Sequence, residues 1–276
     1  MCACLGVSSS AYYGWLSATP SKRAISNSAL DMEIKSIFIE HGCKYGAPRI
    51  TKELQAKGLP CSENRVARRM QSMKLKAKGK RKFKATTDSK HNLPIFDNLL
   101  NRDFTATAPN QKWVTDITYL STREGWLYLC VYIDLYSRSV IGWSMNKRMT
   151  KALVCDALTM ALWRRGFPKD VIVHSDRGSQ YASKRYRRLL KAHGLHGSMS
   201  KKGDCWDNAC AESFFGSLKV EHVYDFDYTT REEAKQSIFE YIELYYNKRR
   251  RHSAIGYNIP EEFELMNTNL FNQVVR

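Results

Sequence analysis

The chain has 276 residues, of which 43% are hydrophobic, so it is long enough to bury a core and too apolar for an intrinsically disordered protein. Its formal charge of +17, from 44 basic and 27 acidic side chains, points to a polyanionic partner such as nucleic acid. No apolar run is long enough to span a membrane and no signal peptide opens the sequence, so we expect a soluble intracellular protein without a membrane partner. The eight cysteines lack the spacing of a zinc site, which favours reduced and mostly buried thiols.

The basic surplus is concentrated in the N-terminal third, because residues 1–104 hold 19 basic and 8 acidic side chains, a net +11. Within it, residues 1–17 have the pattern of the second half of a helix-turn-helix, with Ser8 as the N-cap of a short helix from Ser10 to Leu16. The alternative is a frayed helix that packs on another part of the protein. We therefore assign residues 1–24 to a partial helix-turn-helix.

Three short helices are predicted next, in a helical DNA-binding domain over residues 25–73. Apolar residues recur with a helical period over 26–41, Pro48 suits the first turn of the second helix, and Ser62 caps the third. The third helix is basic on its flanks, an arrangement suited to contacting duplex DNA. The alternative is a plain helical bundle with a solvated basic face. The predicted DNA contacts in this region are Arg65, Arg68 and Arg69.

A basic linker is predicted over residues 74–109. From Lys74 to Lys84, seven of eleven residues are basic and none is acidic, a composition that follows phosphates more readily than it folds. A nuclear localisation signal would have the same composition, so the charge run alone is weak support. The phosphate contacts predicted here are Lys80, Arg81 and Lys82.

Strand patterns begin near residue 110. Three strands are predicted over 113–120, 125–134 and 139–145, and their short connections favour antiparallel neighbours. A helix from Thr150 to Arg165, with Trp163 in its apolar stripe, leads to a strand over 171–174. A helical crossover of this kind favours parallel pairing of that strand. The remaining predicted elements are helices over 183–193, 207–221 and 230–247 and a strand over 196–199.

This order of elements predicts the fold class of the C-terminal part. Three antiparallel strands followed by alternating helices and strands are typical of a ribonuclease-H-like fold, an α/β fold with a mixed five-stranded sheet flanked by helices. We assign residues 110–265 to this core and residues 266–276 to a C-terminal tail. The N-terminal region before it is expected to be all-α and helix-turn-helix-like.

Three acids in the core have the arrangement of a metal-dependent phosphoryl-transfer site. Asp116 lies in the first core strand, Asp176 follows the fourth, and Glu212 lies on the helix over 207–221 beside its apolar stripe. Such a site holds two Mg²⁺ ions, with Mn²⁺ as a substitute, and both ions prefer oxygen ligands. We predict these acids as the catalytic, metal-binding residues. Lys219 shares the helix face of Glu212 and is predicted to hold a phosphate.

Each acid taken alone has an ordinary explanation as a strand-end acid or a solvated helix residue, and the joint pattern is what favours the site. Asp134 is the nearest rival ligand, but an Asp that ends a strand before a turn commonly caps it locally. Asp207 is expected to cap the helix of Glu212. His174 and His252 are expected to have structural or phosphate-contact roles rather than to carry protons. A Gly-rich phosphate loop is absent, so nucleotide hydrolysis has no support.

The three acids, with 35 residues between Asp176 and Glu212 and with Lys219 seven residues after the glutamate, resemble the catalytic signature of retroviral integrases and related insertion-sequence transposases. The surrounding sequence resembles more closely the bacterial transposases whose catalytic half is encoded by a second reading frame. The segments that carry this resemblance are Trp113–Tyr119, Asp134–Arg138, His174–Tyr181, Ser198–Asp204, Asp207–Ala209 and Tyr246–His252, with Leu5–Ser8 and Tyr45–Ile50 in the N-terminal region.

The resemblance implies a DNA transposase with an integrase-type catalytic core. Such an enzyme cleaves the ends of an insertion sequence and joins the freed 3′-hydroxyl to target DNA, with Mg²⁺ and without a covalent enzyme–DNA intermediate. The implied partners are double-stranded DNA at the terminal inverted repeats and at the target, further copies of the chain in a homo-oligomer, and the first-reading-frame protein or a frameshift fusion with it. The implied location is the bacterial cytoplasm, at the nucleoid. The N-terminal zinc module of retroviral integrases is missing from this sequence, so zinc is not expected.

Further basic residues near the acids and near the C-terminus are predicted to contact phosphates. They are Arg177, Lys201, Lys202, Arg249 and Arg250. Two alternatives to the transposase stay open at this point. One is a non-catalytic DNA-binding protein with a remnant acid cluster, and the other is a ribonuclease-H-type nuclease without strand transfer.

Overall fold

Four helices form the N-terminal part of the protein. The computed structural model describes residues 2–79, 94–201 and 208–266, and the chain divides into two units, Met1–Lys78 and Gly79–Arg276. The helices of the first unit are α1 (Ser9–Leu16), α2 (Lys22–Glu40), α3 (Ala47–Ala56) and α4 (Glu63–Ser72). All four predicted helices are therefore present, and α2 begins earlier than predicted because Ser21 caps it.

Side-chain caps start three of these helices. Ser8, Ser21 and Ser62 each accept a hydrogen bond from a backbone N–H in the first turn. Pro48 lies in the first turn of α3, where its missing N–H is not needed. Helices α2, α3 and α4 enclose a core of Ile34, Ile37, Phe38, Tyr45, Ile50, Leu54, Val66 and Met70. Helix α1, in contrast, buries none of its residues.

The second unit is built on a mixed five-stranded sheet, which confirms the predicted fold class. Its strands are β1 (Lys112–Thr122), β2 (Gly125–Asp134), β3 (Val140–Asn146), β4 (Ile172–Ser175) and β5 (His196–Met199). Their order across the sheet is β3-β2-β1-β4-β5. Strands β1, β2 and β3 are antiparallel neighbours, whereas β4 pairs in parallel with β1 and β5. The short strand β4 leaves most of β1 without a partner on that side.

Helices cover both faces of the sheet. They are α5 (Lys151–Arg164), α6 (Lys184–Ala192), α7 (Ala209–Glu221) and α8 (Arg231–Glu240). One apolar core lies between the sheet and α7 and α8, and another lies between the sheet and α5 and α6. At Gly142 the approach of α5 is so close that a Cβ atom would lie 2.4 Å from the carbonyl oxygen of Ala157, which requires glycine there.

Two details of the predicted helices are wrong. Trp163 is 71% exposed, because the side of α5 that packs on the sheet is already filled by residues such as Leu158 and Leu162. The last helix is not a regular α-helix to residue 247, since a π-helical turn over Tyr241–Tyr246 follows α8. Its wider turn buries both end tyrosines against the core next to the sheet.

The cysteines also differ from expectation. Of the seven that the structure describes, all free, only Cys130 and Cys155 are buried, so the prediction of mostly buried thiols is wrong. The predicted cap residue Asp207 lies outside the described residues. Among the helices of the described ranges, none has the length and apolar character to span a bilayer.

Candidate active site

The register of β1 and β4 places two of the predicted acids next to each other. Val114 on β1 is opposite His174 on β4, and Asp116 and Asp176 each follow two residues later. Asp176 comes directly after the last residue of β4, and its charge raises the pKa of Asp116, so the two carboxyl groups lie within electrostatic range of each other.

Local hydrogen bonds orient both carboxylates. The backbone N–H of Ile117 donates to Asp116 Oδ1 over 2.7 Å, and the N–H of Gly178 donates to Asp176 Oδ1 over 3.0 Å. A Cβ atom at Gly178 would lie 3.0 Å from Asp176 Oδ1 and 3.0 Å from Gln180 Oε1, so a side chain there would crowd the acid. The turn after β4 therefore fixes Asp176 as well as terminating the strand.

Glu212 reaches the same region from α7. The predicted apolar stripe of this helix, Ala211, Phe214 and Leu218, is buried against the sheet. Glu212 lies beside it, exposed in the first turn. Its negative charge contributes to the raised pKa of Asp116, which shows that the two carboxyl groups lie within electrostatic range.

The pKa shifts describe a crowded, negatively charged site. Burial raises the pKa of Asp116 well above its usual value, and the charges of Asp176 and Glu212 add to this, while the N–H of Ile117 and the charge of Lys219 oppose it. Burial also raises the pKa of Glu212. Three carboxyl groups and one lysine leave an excess of negative charge that an added cation would neutralise.

Lys219 is buried beside these acids, with 7% of its surface exposed. Burial lowers the pKa of Lys219, and the charge of Asp116 opposes that shift. Its Nζ atom lies 5.2 Å from the centre of the Tyr119 ring, which is a cation–π distance. The lysine predicted to hold a phosphate is thus placed next to Asp116.

Two residues that sequence reasoning missed connect α7 to the sheet. Asn208 donates from Nδ2 to the backbone carbonyl of Thr115 over 3.3 Å, which ties the start of α7 to the residue before Asp116. Arg138, in the turn after β2, donates to Cys210 Sγ over 2.7 Å. Both lie in segments that carry the family resemblance, and that was the available signal.

The rival ligand Asp134 is a local cap, as predicted. Its carboxylate accepts hydrogen bonds from the backbone N–H groups of Asn110 (2.9 Å) and Tyr136 (3.0 Å), and none of its surface is exposed. The two histidines also have structural contacts. His174 Nδ1 lies 2.8 Å from Ser198 Oγ on β5, and His252 accepts from the N–H of Ala254 over 3.2 Å.

One predicted DNA contact is corrected by the structure. Arg250 is 3% exposed and its guanidinium donates to both carboxylate oxygens of Glu221, over 2.7 and 2.6 Å. The hydroxyl of Tyr241 donates to the same carboxylate over 2.9 Å. Since the pair holds the C-terminal segment against α7, Arg250 is unavailable to DNA. The adjacent Arg249 is exposed.

The other predicted contacts differ in their surroundings. In the N-terminal unit, Arg65 donates to Ser26 and Asn27 of α2, Arg69 donates to Asp31 (2.8 Å from Nε), and Arg68 is exposed. Near the acids, Arg177 donates to the carbonyl of Ser200 over 2.7 Å, and Lys201 is exposed. The predicted contacts Lys202, Lys80, Arg81 and Lys82 lie outside the described residues.

Comparison with known proteins identifies the class of this core. Two family models described as Integrase core domain match residues 106–205 and 212–268, and a model described as HTH-like domain matches residues 26–83. A chain of a simian T-cell lymphotropic virus intasome, solved with a PP2A regulatory subunit, superposes with a TM-score of 0.50. It is 16% identical and covers 84% of this chain and 74% of that one, which supports the ribonuclease-H-like integrase fold.

Close relatives then give the family. "Transposase InsF for insertion sequence IS3A" of Escherichia coli (strain K12) is 51% identical over 97% of this chain and 93% of its own length. "Insertion element IS600 uncharacterized 31 kDa protein" of Shigella sonnei is 47% identical over 95% and 97%. The chain belongs to the IS3 family of insertion-sequence transposases. It is therefore a DNA-transposing enzyme of the polynucleotidyl transferase type, as the sequence predicted.

Proposed function

We propose that Asp116, Asp176 and Glu212 are the catalytic residues of this transposase and that they bind its metal ions. The observation that supports this most strongly is the pairing of β1 with β4, together with the effect of the Asp176 charge on the pKa of Asp116. Glu212 approaches from α7, and its charge acts on Asp116. Asp134, the competing acid, already accepts hydrogen bonds from the backbone N–H groups of Tyr136 in its own turn and of Asn110 before β1.

The donor set fits a hard divalent cation. All three groups are carboxylates, the ligands that Mg²⁺ and Mn²⁺ prefer, and burial together with the charges of Asp176 and Glu212 raises the pKa of Asp116. We propose two Mg²⁺ ions, which would activate the attacking oxygen and stabilise the leaving oxygen. Within the described residues, no three acid, His or Cys side chains are grouped closely enough to hold an ion. Sharing one ion would therefore require the three carboxylates to move closer together.

The chain's own residues would position the DNA. Lys219 lies beside Asp116 and would contact the phosphate at the cleaved bond. Arg177, Lys201 and Lys202 would contact phosphates further along the same DNA strand. The attacking group would be first a water and then the freed 3′-hydroxyl, each in line with the leaving oxygen.

The remaining contacts serve binding rather than chemistry. The helical unit would bind the terminal inverted repeats through Arg65, Arg68 and Arg69, with the basic linker 74–109 and Arg249 along the backbone. We propose the domain boundaries 1–24, 25–73, 110–265 and 266–276 that the sequence predicted. We also propose a homo-oligomer on paired ends, a first-reading-frame partner or fusion, and a location at the bacterial nucleoid. The assembly named for the viral relative, an intasome, supports the oligomer.

Substitution of Glu212 by Gln tests the assignment directly. The change keeps the shape of the side chain but removes the charge, so Mg²⁺-dependent cleavage of a terminal-repeat substrate should fall at least about 100-fold. DNA affinity should stay unchanged. The matched control is Asp156→Asn, which removes an exposed carboxylate from α5 and should leave cleavage intact. Wild-type cleavage by Glu212→Gln would refute the role of this residue.

A joining assay tests the second half of the reaction. A radiolabelled terminal-repeat end and an unlabelled target duplex are incubated with the full chain and Mg²⁺, with and without the first-reading-frame protein. Labelled joint molecules are expected, and they should disappear when the end carries a 3′-deoxy terminus. Cleavage without any joining, with the partner present, would indicate a nuclease and contradict the proposed strand transfer.

A further inference from the structure

Helix α2 is apolar on two faces, although the core of the N-terminal unit uses only one of them. Its inner face buries Ile34, Ile37 and Phe38. On the opposite side, Ile25, Met32 and Ile39 are 60%, 66% and 71% exposed. These three residues are spaced seven apart, so they lie one above another along the helix. A row of large apolar side chains at this spacing indicates a helix-pairing surface rather than scattered surface residues.

The positions between the large residues complete a heptad pattern. Ala29 and Ser36 are exposed and fall between them, which gives successive spacings of four, three, four and three residues. In a pair of helices this spacing keeps one seam facing the partner. Large residues occupy one set of seam positions and small residues the other, so two such helices can approach closely. We call the five residues from Ile25 to Ile39 the α2 seam.

The charges beside the seam select its partner. Lys35 lies on one flank and Glu33 and Glu40 on the other. In a parallel pair of identical helices, a residue on the first flank faces the residue five positions later on the second helix, which sets Lys35 against Glu40 of the other copy. In an antiparallel pair, Lys35 would instead face Lys35 of the other copy, and like charges repel. Charge complementarity therefore favours a second copy of this chain, parallel to the first.

We propose that the α2 seam is a self-association surface, on which the N-terminal units of two copies pair in parallel about a twofold axis. The same patch serves both copies, as a twofold interface requires. The seam covers about two heptads, fewer than the three to four of a self-sufficient coiled coil, so the pairing is weak in dilute solution. It strengthens when two copies are held on one DNA, because the second contact becomes intramolecular.

The pairing would set two DNA-binding helices in a fixed relation. Helix α4 is held to α2 by the bonds from Arg65 and Arg69 to Ser26, Asn27 and Asp31, which lie off the seam. Pairing through α2 thus leaves these contacts intact and places both copies of α4 symmetrically. The inference deepens the proposed homo-oligomer and rests on it, but it does not depend on the roles of the three acids.

The first experiment measures association of the full chain by sedimentation velocity, over a range of concentrations and with DNA carrying two terminal repeats. Met32→Glu sets like charges together at the centre of the seam and should weaken pairing at least tenfold, with unchanged circular dichroism and Tm. Leu59→Glu, an exposed apolar position of the same unit away from the seam, is the matched control. Lys35→Glu should weaken pairing, and Lys35→Glu combined with Glu40→Lys should restore it.

A crosslinking experiment tests the geometry. In a parallel pair Ser36 faces Ser36 of the other copy, so Ser36→Cys should give a self-crosslink with a short bismaleimide, identified by peptide mass against the native cysteines. A mixture of Ser36→Cys and Ala29→Cys chains crosslinked only between the two positions would show an antiparallel pair and overturn the proposal. Oligomers that form normally in Met32→Glu would overturn the seam while leaving self-association valid. A wild-type chain that stays monomeric on paired ends would refute both.

Discussion

Two aspartates on neighbouring strands of one sheet differ in the charges and hydrogen-bond donors that surround them. Burial raises the pKa of both Asp116 on β1 and Asp134 on β2. At Asp134 the fold supplies compensation: the Arg165 guanidinium lies 3.7 Å away, and two backbone N–H groups donate to the carboxylate. Arg165 also donates to both oxygens of Glu264, over 2.7 and 2.6 Å. This end of the sheet is a structural network in which the fold itself supplies a cation and hydrogen-bond donors to the acid.

At Asp116 the neighbouring acids add negative charge instead of compensating it. Asp176 and Glu212 bring further negative charge, and burial lowers the pKa of Lys219, the cation that opposes them. Carboxyl groups with raised pKa values are neutralised either by protons or by a bound cation, and we propose a divalent cation at this site. The contrast teaches that the surrounding charge, rather than the residue type or strand position, distinguishes the region of Asp116 from that of Asp134. We call the two regions the Asp116 site and the Asp134 network.

The largest expected difference between the two regions is in activity. Asp116→Asn should reduce Mg²⁺-dependent cleavage on the order of 10²–10³-fold, because it removes a proposed ligand of the metal ions. Asp134→Asn should leave the rate per folded molecule within several-fold of wild type. Both are measured as single-turnover cleavage of a terminal-repeat duplex, normalised to the folded fraction. Equal losses in the two variants would break the distinction.

The Asp134 network should dominate stability instead. Arg165→Met removes the cation that serves two carboxylates, and leaving buried charges without a partner costs about 3–5 kcal/mol of unfolding free energy. The neighbouring Arg164→Met is a matched control, since that side chain is 37% exposed and its pair with Glu243 is worth about 0–1 kcal/mol. Urea unfolding measures both. If the two variants unfold alike, the network is not structural.

Local patterns determined much of this fold in advance. The limits predicted for β2 and β5 match the structure, because each strand is bounded by a recognisable turn. The Ser62 cap likewise fixed the start of α4. The π-helical turn over 241–246 has no such local signal, since it depends on packing against residues far along the chain. Trp163 was predicted to lie in the buried stripe but is exposed, because helical periodicity alone does not set the width of that stripe.

The candidate site, like the fold, has features that the sequence predicted and others that it did not. The sequence patterns singled out Asp116, Asp176 and Glu212 jointly, and in the structure the charges of Asp176 and Glu212 both act on Asp116. The run of arginines near the C-terminus could not show that Arg250 turns inward, because its partner Glu221 lies 29 residues earlier on α7. The bond from Asn208 to Thr115 joins residues 93 positions apart, and no spacing rule reveals it. Contacts between distant segments are what sequence patterns leave undetermined.

The stabilisation of the folded chain by Mg²⁺ should depend on the Asp116 site and not on the Asp134 network. This effect is expected to be smaller than those on activity and on unfolding. A ligand at 100 times its Kd stabilises the folded state by about 2.7 kcal/mol, so Mg²⁺ should raise the Tm of the wild-type chain. Asp116→Asn should lose this gain, and Asp134→Asn should keep it. Differential scanning calorimetry of the full chain with and without Mg²⁺, at constant ionic strength, makes the comparison. An undiminished Mg²⁺ shift in Asp116→Asn would place the ion elsewhere.

The smallest expected effect concerns pH. Because burial keeps the pKa of Asp134 above its value in the unfolded chain, the folded state holds this proton more tightly. The associated stability is present at low pH and is lost as the pH rises from the unfolded pKa through the folded one, so Asp134→Asn should flatten that fall.

Asp103 gives the opposite sign, since the hydrogen bond from Lys112 and those from Thr105 hold its pKa well below the usual range. Stability from Asp103 is lost as the pH drops, and salt should screen this exposed pair. Urea unfolding of wild type, Asp134→Asn and Asp103→Asn across the acidic range tests both signs, and slopes that change in the same direction in the two variants would contradict the assignment of Asp134 to a buried network.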